Sequence, residues 1–294
     1  MPELPEVETI ANGVHARVHG ARIVSVWTSG KPQTFKSPEP EIAEALTNAT
    51  IDSVRRVGKT IVMTLHRGPE TQPTEFLIHL GMTGRLLVSD PAVPQPAHTH
   101  AVLTLADHRE IRFIDPRRFG RLSIYSAKSG CPIHAVSSHE WEGAPQTSTP
   151  ASYAGPGREP LTISLEDFIA LFRGRKTPIK AALLNQSLLH GVGNIYADEA
   201  LFRARIRPRR QAARVTREEL ARLRKTLVEV LRRAIKLGGS SVSDYVDAEG
   251  MRGYFQIEHR VYGRAGEPCT VCGTPIRKIV VGGRGTHFCP HCQK

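Results

Sequence analysis

The chain has 294 residues, of which 40% are hydrophobic and 23% charged, and its formal net charge at pH 7 is +12. This length allows two domains with cores of their own, and the composition is ordinary for a globular protein. Because there is no apolar run of about 18 residues and no basic-then-apolar start, we expect neither a membrane span nor a secretory signal. The positive charge suits a polyanion such as nucleic acid, although a merely solvated surface would have the same composition.

The first segment, Met1–Thr9, reads Met-Pro-Glu-Leu-Pro-Glu-Val-Glu-Thr. If Met1 is removed, the ring nitrogen of Pro2 becomes a secondary amine, and α-amino groups are partly unprotonated near neutral pH. Such an amine condenses with an aldehyde carbon to an iminium, which is an electron sink for later bond breaking. Glu3 and Glu6 are close enough in the chain to supply an acid or base. The alternative is a proline that simply follows the first methionine.

The next part of the chain is predicted to be one helix followed by strands. Pro5 suits the first turn of a helix, and an apolar stripe recurs at helical spacing, at Val7, Ile10, Val14 and Val18. Strands with alternating or apolar character are expected at 22–28, 51–57, 60–66, 75–80, 84–88, 101–106, 110–114 and 121–125. The short connections favour antiparallel pairing and therefore a β-sandwich or a flattened barrel.

Residues 127–160 are rich in Pro, Gly, Ser, Thr and Ala and are predicted to be a linker. Helices follow it. The segments that start at Ser164 and at Thr216 both resemble capping boxes. The second opens a helix that is expected to end at Gly238 and Gly239 and to bury Leu220, Leu223, Leu227, Val230, Leu231 and Ile235.

A glycine-bracketed turn, His190–Tyr196, lies between these helices and leads into another one. Backbone N–H groups and the Asn194 amide could approach a phosphate there, at a helix N-terminus. A tight turn between helices is the alternative. Five arginines that follow could contact phosphate or form a solvated face: Arg203, Arg205, Arg207, Arg209 and Arg210.

Four of the five cysteines form the pattern C-x2-C-x16-C-x2-C, as Cys269, Cys272, Cys289 and Cys292. Two such pairs supply four thiolates, which fill the tetrahedral shell of a structural zinc ion. Disulfide pairing is the alternative and is disfavoured by the reducing compartment that the lack of a signal peptide implies. Cys131 stands apart and is expected to have no role.

Taken in order, four segments resemble the formamidopyrimidine-DNA glycosylase family: Met1–Thr9, Asp115–Gly120, Gly191–Ala200 and the cysteine-rich C-terminal segment. The similarity covers nearly the whole chain and is poorest in the linker. The family consists of bifunctional glycosylase/abasic-site lyases of base-excision repair that act on oxidised purines such as 8-oxoguanine and formamidopyrimidines. Its fold pairs an N-terminal β-sandwich with a helix-two-turn-helix domain and a zinc finger, with DNA in the cleft between them.

The resemblance therefore implies an α+β multidomain chain with an N-terminal helix, an antiparallel β-sandwich, a helix-two-turn-helix domain and a β-hairpin zinc finger. We expect a catalytic domain at 1–126, a linker or hinge at 127–160, a helix-two-turn-helix domain at 161–258 and a zinc finger at 259–294. One structural Zn²⁺, damaged double-stranded DNA as partner, no membrane and a monomeric state are expected. The predicted location is the bacterial cytoplasm, in association with the nucleoid.

The family's chemistry implies roles for the first residues. Pro2 would attack C1′ of the damaged nucleoside, expel the base and leave an iminium, after which loss of protons at C2′ and C4′ cuts the strand on the 3′ and 5′ sides. Glu3 resembles the acid/base residue at the sugar. Glu6 resembles a supporting carboxylate, and helix capping is an equally physical role for it.

The resemblance also implies DNA contacts. A base that leaves the stack must be replaced, and Met82, Arg117 and Phe119 match the residues that fill the void; core packing at a turn is the alternative for Met82. Lys59 and Arg284 are counted with the catalytic site, as contacts to phosphate. The further DNA-binding residues are His79, His98, Lys180 near the damaged base, Asn194 and Tyr262. His100 could face DNA together with His98; the alternative is that both histidines are merely solvated.

The segments 240–245 and 250–255 resemble the family's lesion-recognition loop, and an ordinary surface loop would have the same composition. The long 127–160 connection departs from the family pattern, as does Asn185, where an aspartate is usual. Leu4 and the serines of 240–245 favour the purine branch over the endonuclease VIII branch, which removes oxidised pyrimidines. The third hypothesis is a catalytically silent zinc protein that only binds DNA, for which Pro2, Glu3 and Glu6 would be unnecessary.

Overall fold

The computed structural model describes residues 1–68, 72–125, 152–241, 248, 250–251 and 253–294. These form two compact units, neither of which is one continuous segment. The first comprises the described residues of Met1–Pro2, Glu6–Ala154 and Val242–Arg252, and the second Glu3–Pro5, Gly155–Ser241 and Gly253–Lys294. The predicted division into 1–126, 127–160, 161–258 and 259–294 stays a prediction, because most of the linker lies outside the described residues. Cys131 lies outside them as well.

The first unit contains a β-sandwich of two four-stranded antiparallel sheets, preceded in the chain by the helix α1 (Leu4–Val18). One sheet has the order β1-β6-β7-β5 and the other β2-β3-β4-β8. The strands are β1 (Ile23–Thr28), β2 (Thr50–Val57), β3 (Thr60–His66), β4 (Thr74–His79), β5 (Arg85–Ser89), β6 (Thr99–Leu105), β7 (Glu110–Ile114) and β8 (Arg121–Tyr125). Each predicted strand is present within two residues at either end.

The sandwich core forms because alternate residues of the strands point to one side. Ile61, Met63 and Leu65 of β3 are buried together with the inward residues of the other sheet, such as Leu103 and Phe113. The predicted stripe of α1 is fully buried in the same core, at Val7, Ile10, Val14 and Val18. This burial fixes the helix on the sandwich. A second helix, α2 (Glu39–Leu46), was not predicted.

The outer face of the β2-β3-β4-β8 sheet holds the end of the linker. Tyr153 packs edge-to-face on Tyr125, with ring centroids 5.7 Å apart. The buried carboxylate of Glu75 accepts hydrogen bonds from the backbone N–H of Tyr153 and from the hydroxyl of Ser152. Residues 152 and 153 of the predicted linker are therefore fixed on the sheet.

The second unit is helical and ends in a two-stranded hairpin. Its elements are α3 (Leu165–Phe172), α4 (Ile179–Leu183), α5 (Asn194–Arg203), α6 (Arg217–Lys236), β9 (Arg277–Val281) and β10 (Arg284–Phe288). The apolar face of α6 packs against α3 and α5 in one core. The predicted α+β class, with a sandwich, a helical domain and a β-hairpin, is confirmed. Within the described ranges, no helix is long and apolar enough to cross a membrane.

Both predicted helix caps are present. The hydroxyl of Ser164 accepts a hydrogen bond from the Asp167 N–H at 3.1 Å. At the start of α6, Thr216 Oγ1 accepts from the Glu219 N–H at 3.3 Å, and the Glu219 carboxylate accepts from the Thr216 N–H at 2.8 Å. The reciprocal pair satisfies two N–H groups that have no partner within the helix.

Thr216→Ala should destabilise the second unit by roughly 1 kcal/mol, because the hydroxyl that accepts from Glu219 is lost. The thermal unfolding midpoint, measured by circular dichroism, should fall by about 2–4 °C. Thr216→Ser keeps the acceptor and should unfold within about 1 °C of the wild type. An equal fall for both variants would contradict this account of the cap.

Candidate functional site

Three of the residues proposed for catalysis, Pro2, Glu3 and Glu6, lie at the start of the chain and are buried. The residues Glu3 and Glu6 are 4% and 2% exposed. Because α1 begins at Leu4, Pro2 and Glu3 precede the helix and Glu6 lies in its first turn. An acidic side chain there is favoured by the helix dipole. The capping role of Glu6 therefore agrees with its position, and its catalytic role stays a prediction.

Glu3 is held by the N-terminus of α5. Its Oε1 accepts a hydrogen bond from the backbone N–H of Ile195 at 3.1 Å. A β-carbon at Gly193 would lie 2.1 Å from the Glu3 carboxyl carbon, so the carboxylate fills the space that any side chain at 193 would need. The N-terminus of a helix also stabilises a negative charge. The Ile195 N–H and the space beside Gly193 thus form a specific binding position for this carboxylate, which we call the Glu3 seat.

Gly191, two residues before Gly193, makes room for Leu4. The N–H of Leu4 donates to the Gly191 carbonyl at 3.0 Å, and Leu4 is buried in the helical core. Gly191 has a left-handed φ of +91°, and a β-carbon there would lie 2.9 Å from Leu4 Cδ1. The two glycines of the predicted turn are therefore explained by the close approach of residues 3 and 4. The phosphate contact of this turn stays a prediction.

Asn194, Tyr262 and Arg284 lie in the second unit around the hairpin. The Asn194 amide donates to the Gly285 carbonyl at 2.9 Å, and the same side chain hydrogen-bonds to the Tyr262 hydroxyl. Burial raises the pKa of the Tyr262 hydroxyl, and the hydrogen bond with the Asn194 side chain opposes the rise. Arg284 is exposed at the first position of β10. The three residues present two polar donors and a cation.

Two buried acids of α5 hold this group, and sequence reasoning did not assign them. The Glu199 carboxylate accepts from the backbone N–H groups of Arg260, Val261 and Tyr262 at 2.9–3.1 Å. Burial raises the pKa of Glu199, whereas these three donors oppose the rise. The Asp198 carboxylate accepts from the His287 N–H at 2.8 Å. The available signal was a pair of consecutive acids in the middle of an otherwise largely apolar helix.

Lys180 was predicted to lie near the damaged base, and it is fully buried inside the second unit. Its ammonium lies 2.7 Å from Asp198 Oδ1 and donates to the Gly285 carbonyl and the Thr286 hydroxyl at 3.0 and 2.8 Å. Burial lowers the pKa of this ammonium, and the Asp198 carboxylate opposes the shift. These contacts tie α4 and α5 to β10. A DNA contact of Lys180 stays a prediction.

In the first unit, Met82 and Phe119 are exposed on adjacent loops, at 41% and 50% of their surface. The Arg117 guanidinium lies over the Phe119 ring, 4.8 Å from its centroid. A β-carbon at Gly81 would lie 2.5 Å from the Phe119 carbonyl carbon, so the two loops touch through their backbones. The alternative of core packing for Met82 is therefore wrong. Three side chains of the predicted types stand together at a surface.

The other residues of the first unit that were predicted to contact DNA differ in their exposure. Lys59 lies in the turn between β2 and β3, and His79 at the end of β4 accepts a hydrogen bond from the Gly81 N–H at 3.1 Å. His98 is exposed, with a left-handed φ of +63°. His100, however, is 4% exposed and hydrogen-bonds to Ser29 and to the Asp115 carbonyl. The expectation that His100 is solvated or faces DNA is wrong, because both ring nitrogens are used inside the fold.

Three further sequence features have simpler structural roles. Asn185 accepts a hydrogen bond from the Ser187 N–H at 2.9 Å and so stabilises a turn. Of the five arginines at 203–210, Arg210 pairs with Glu219, and Arg203, the last residue of α5, lies 3.8 Å from Glu199. The others, Arg205, Arg207 and Arg209, are exposed. In the predicted lesion-recognition loop, residues 242–247, 249 and 252 lie outside the described ones.

The four predicted cysteine ligands converge at the end of the second unit. The sulfur atoms of Cys269, Cys272, Cys289 and Cys292 all lie within 4.8 Å of one another, and two of the pairs are 3.5 and 4.0 Å apart. A tetrahedron with Zn–S bonds of about 2.3 Å has edges of about 3.8 Å. The sulfur cage therefore fits a zinc ion with four thiolate ligands, which leaves no position for a substrate. The metal is structural.

Comparisons with known families agree along the chain. A model described as the formamidopyrimidine-DNA glycosylase N-terminal domain matches residues 1–122, and one described as the formamidopyrimidine-DNA glycosylase H2TH domain matches residues 156–246. A model described as a zinc finger found in FPG and IleRS matches residues 266–294. The matched segments include every residue proposed for the site except Tyr262.

Individual relatives agree over their full lengths. Proteins named formamidopyrimidine-DNA glycosylase from Solibacter usitatus and Variovorax paradoxus are 45% and 44% identical, with complete coverage of both chains. The crystal structure of the MutM (Fpg) protein from Thermus thermophilus is 39% identical, covers 99% of this chain and 98% of its own, and has a TM-score of 0.81. A Lactococcus lactis Fpg in complex with abasic-site DNA is 31% identical, covers 99% of both chains and has a TM-score of 0.81.

Loss of zinc should unfold the hairpin, because the small apolar cluster around it contains two of the four ligands. Cys272→Ser should lower the zinc content from about one ion per chain and greatly speed amide hydrogen exchange in residues 277–288. Cys131→Ser is the matched control and should retain both zinc and protection. Full zinc content and unchanged exchange in Cys272→Ser would refute the assignment of the ligands.

Proposed function

The chain belongs to the formamidopyrimidine-DNA glycosylase family, and from that premise we propose that it excises oxidised purines from duplex DNA through Pro2 and then cuts the strand. The substrates would be 8-oxoguanine and formamidopyrimidines. The observation that carries the proposal is the seat of Glu3 at the N-terminus of α5, which fixes a carboxylate directly after Pro2. A protein that only binds DNA has no need for a buried carboxylate beside its N-terminal amine.

The first chemical step would use the Pro2 nitrogen as nucleophile. After removal of Met1, its lone pair attacks C1′ of the damaged nucleoside, and the glycosidic C–N bond breaks as the base leaves with its electron pair. The ring of the sugar opens to an iminium between Pro2 and C1′. The iminium accepts electrons from the sugar carbons. Loss of a proton from C2′ then breaks the bond to the 3′ phosphate, and a second elimination through C4′ breaks the bond to the 5′ phosphate.

Glu3 would move protons at the sugar. The residue is 4% exposed and adjacent in sequence to the nucleophile, so it meets the requirement of proximity for an acid/base group. Glu6, buried in the first turn of α1, would support the start of the helix and the position of Pro2. We propose a positioning role for Glu6 and reserve proton transfer for Glu3.

Met82, Arg117 and Phe119 would replace the base that leaves the stack. An exposed flexible methionine suits a plug for the vacated space, and an exposed aromatic ring suits a wedge between bases. The guanidinium of Arg117 offers several donors to the orphaned base on the other strand. All three are held on loops of one rigid sandwich, which is what insertion into a stiff duplex requires.

The phosphate backbone would be bound by side chains of both units. Asn194, Tyr262 and Arg284 form one group of donors in the second unit, and Lys59, His79 and His98 belong to the first. Such contacts position DNA without reading its sequence. The net charge of +12 supports the same partner. We propose that the protein acts as a monomer on nucleoid DNA in the bacterial cytoplasm.

The direct test uses duplexes that carry 8-oxoguanine, thymine glycol or an abasic site, with borohydride added to reduce any iminium. The proposal predicts excision of 8-oxoguanine, strand cutting on both sides of the site and a trapped covalent complex. If the protein acts mainly on thymine glycol, its substrates are oxidised pyrimidines and the proposed purine specificity is wrong. Absence of trapping on every duplex would refute the enzyme and leave a DNA-binding zinc protein.

Pro2→Gly should reduce trapping and excision by on the order of a hundredfold or more, because the secondary amine is lost and the first residue becomes flexible. Affinity for a duplex with a stable abasic analogue, measured by fluorescence anisotropy, should change by less than about threefold, since the phosphate contacts remain. Pro40→Gly in α2 is the matched control and should behave as the wild type. Wild-type rates in Pro2→Gly would exclude Pro2 as the nucleophile.

Gly193→Ala should displace the Glu3 carboxylate, because the new β-carbon would lie 2.1 Å from its Cδ. Excision of 8-oxoguanine should fall by roughly a hundredfold, as expected when an acid/base group is misplaced. Gly174→Ala is the control: its left-handed φ of +70° makes the replacement strained, but no atom lies within 4 Å of the new carbon, so the backbone is destabilised without displacement of Glu3. If Gly193→Ala excises 8-oxoguanine as fast as this control, the position of the Glu3 carboxylate is not required for excision.

A further inference from the structure

Asp115 is fully buried at the end of β7, and the chemistry proposed above gives it no role. It is the first residue of the segment Asp-Pro-Arg-Arg-Phe-Gly that ends at Gly120 and carries two of the three void-filling side chains. A buried carboxylate is costly unless its oxygens accept hydrogen bonds. Its partners therefore indicate what the residue does.

The two carboxylate oxygens of Asp115 bind two different loops. Oδ2 accepts from the Gly120 N–H at 2.7 Å, and Oδ1 accepts from the Arg117 N–H at 3.3 Å. Oδ1 also accepts from the Thr83 hydroxyl at 2.5 Å. Thr83 follows Met82 in the chain. One carboxylate thus joins the loop of Met82 to the loop of Arg117 and Phe119.

The backbone of Asp115 extends this junction to a third segment. Its N–H donates to the His98 carbonyl at 3.0 Å, and its carbonyl oxygen lies 3.1 Å from His100 Nε2. His98 and Arg118 both have left-handed φ values, of +63° and +54°. Residues other than glycine adopt this conformation at a cost, so the surrounding contacts must hold it.

We propose that Asp115 is a positioning residue that holds Met82, Arg117 and Phe119 in one fixed arrangement for entry into the DNA stack. The proposal rests on the proposed function, because it concerns extrusion of the base. The carboxylate acts through the backbone of the loops and does not touch the substrate. Its loss should therefore impair steps that require base extrusion far more than steps that do not.

Asp115→Asn retains the size of the side chain and replaces its carboxylate by a neutral amide. An amide supplies one acceptor oxygen and one NH2 group, which would face N–H donors of the loop. We expect excision of 8-oxoguanine under single-turnover conditions to fall on the order of tenfold to a hundredfold. Borohydride trapping on a duplex with a ready-made abasic site, which contains no base to extrude, should fall by less than about threefold.

A fluorescent 2-aminopurine opposite the lesion supplies a second readout, since its emission rises when the base is unstacked. The wild type should give a rapid rise on mixing, and Asp115→Asn a slower or smaller one. Thr83→Val removes only the hydroxyl that donates to Asp115 and should reproduce part of the defect. Thr83→Ser keeps the hydroxyl and should restore the wild-type rate. Asp107→Asn, in an exposed turn between β6 and β7, controls for loss of a carboxylate.

The outcomes are separable. Equal rates for wild type, Asp115→Asn and Thr83→Val on 8-oxoguanine would overturn the inference and leave the proposed function intact. An equal loss on 8-oxoguanine and abasic duplexes would also overturn it, because that pattern reports general damage to the fold. If Asp115→Asn fails to fold, Thr83→Val against Thr83→Ser decides alone. A wild type that traps no iminium on any duplex would refute the proposed function and this inference with it.

Discussion

The carboxylate of Glu3 lies at the N-terminus of α5, where it accepts a hydrogen bond from Ile195 and occupies the space beside Gly193. The next residue, Leu4, is buried in the helical core and donates to the Gly191 carbonyl. Pro2 directly precedes these two anchored residues in the chain and has no polar side chain of its own. A nucleophile must be placed to within a fraction of an ångström to be effective. The glycines of the α4–α5 turn make this placement possible.

The helix α5 organises the rest of the second unit in the same way. Its first residue, Asn194, hydrogen-bonds to Gly285 and Tyr262, while Asp198 and Glu199 accept from His287 and from three successive backbone N–H groups. The buried Lys180 joins the same network. The four thiolate ligands of zinc link the segment before β9 to the segment after β10. The donors proposed to bind phosphate are thus fixed by buried charges and by a metal.

Much of this arrangement could be predicted from the sequence, because its signals are local. Three predictions depend on a few neighbouring residues, and each is confirmed: the strands with alternating apolar and polar residues, the capping box at Thr216 and the zinc ligands inferred from the cysteine spacing. The helix α2 was not predicted: it has eight residues and only two buried side chains, Ile42 and Leu46, which are too few to show a helical period. The burial of His100 and Lys180 and the roles of Asp115 and Glu199 depend on partners far away in the chain. Spacing alone contains no information on those contacts.

The central claim is that the nitrogen of Pro2 forms the covalent bond to the sugar. The most direct measurement is mass spectrometry of peptides from the borohydride-trapped complex with abasic DNA. The account predicts an N-terminal peptide that lacks Met1 and carries the sugar remnant on Pro2. A protein that retains Met1, or an adduct on Lys59 instead, would contradict it.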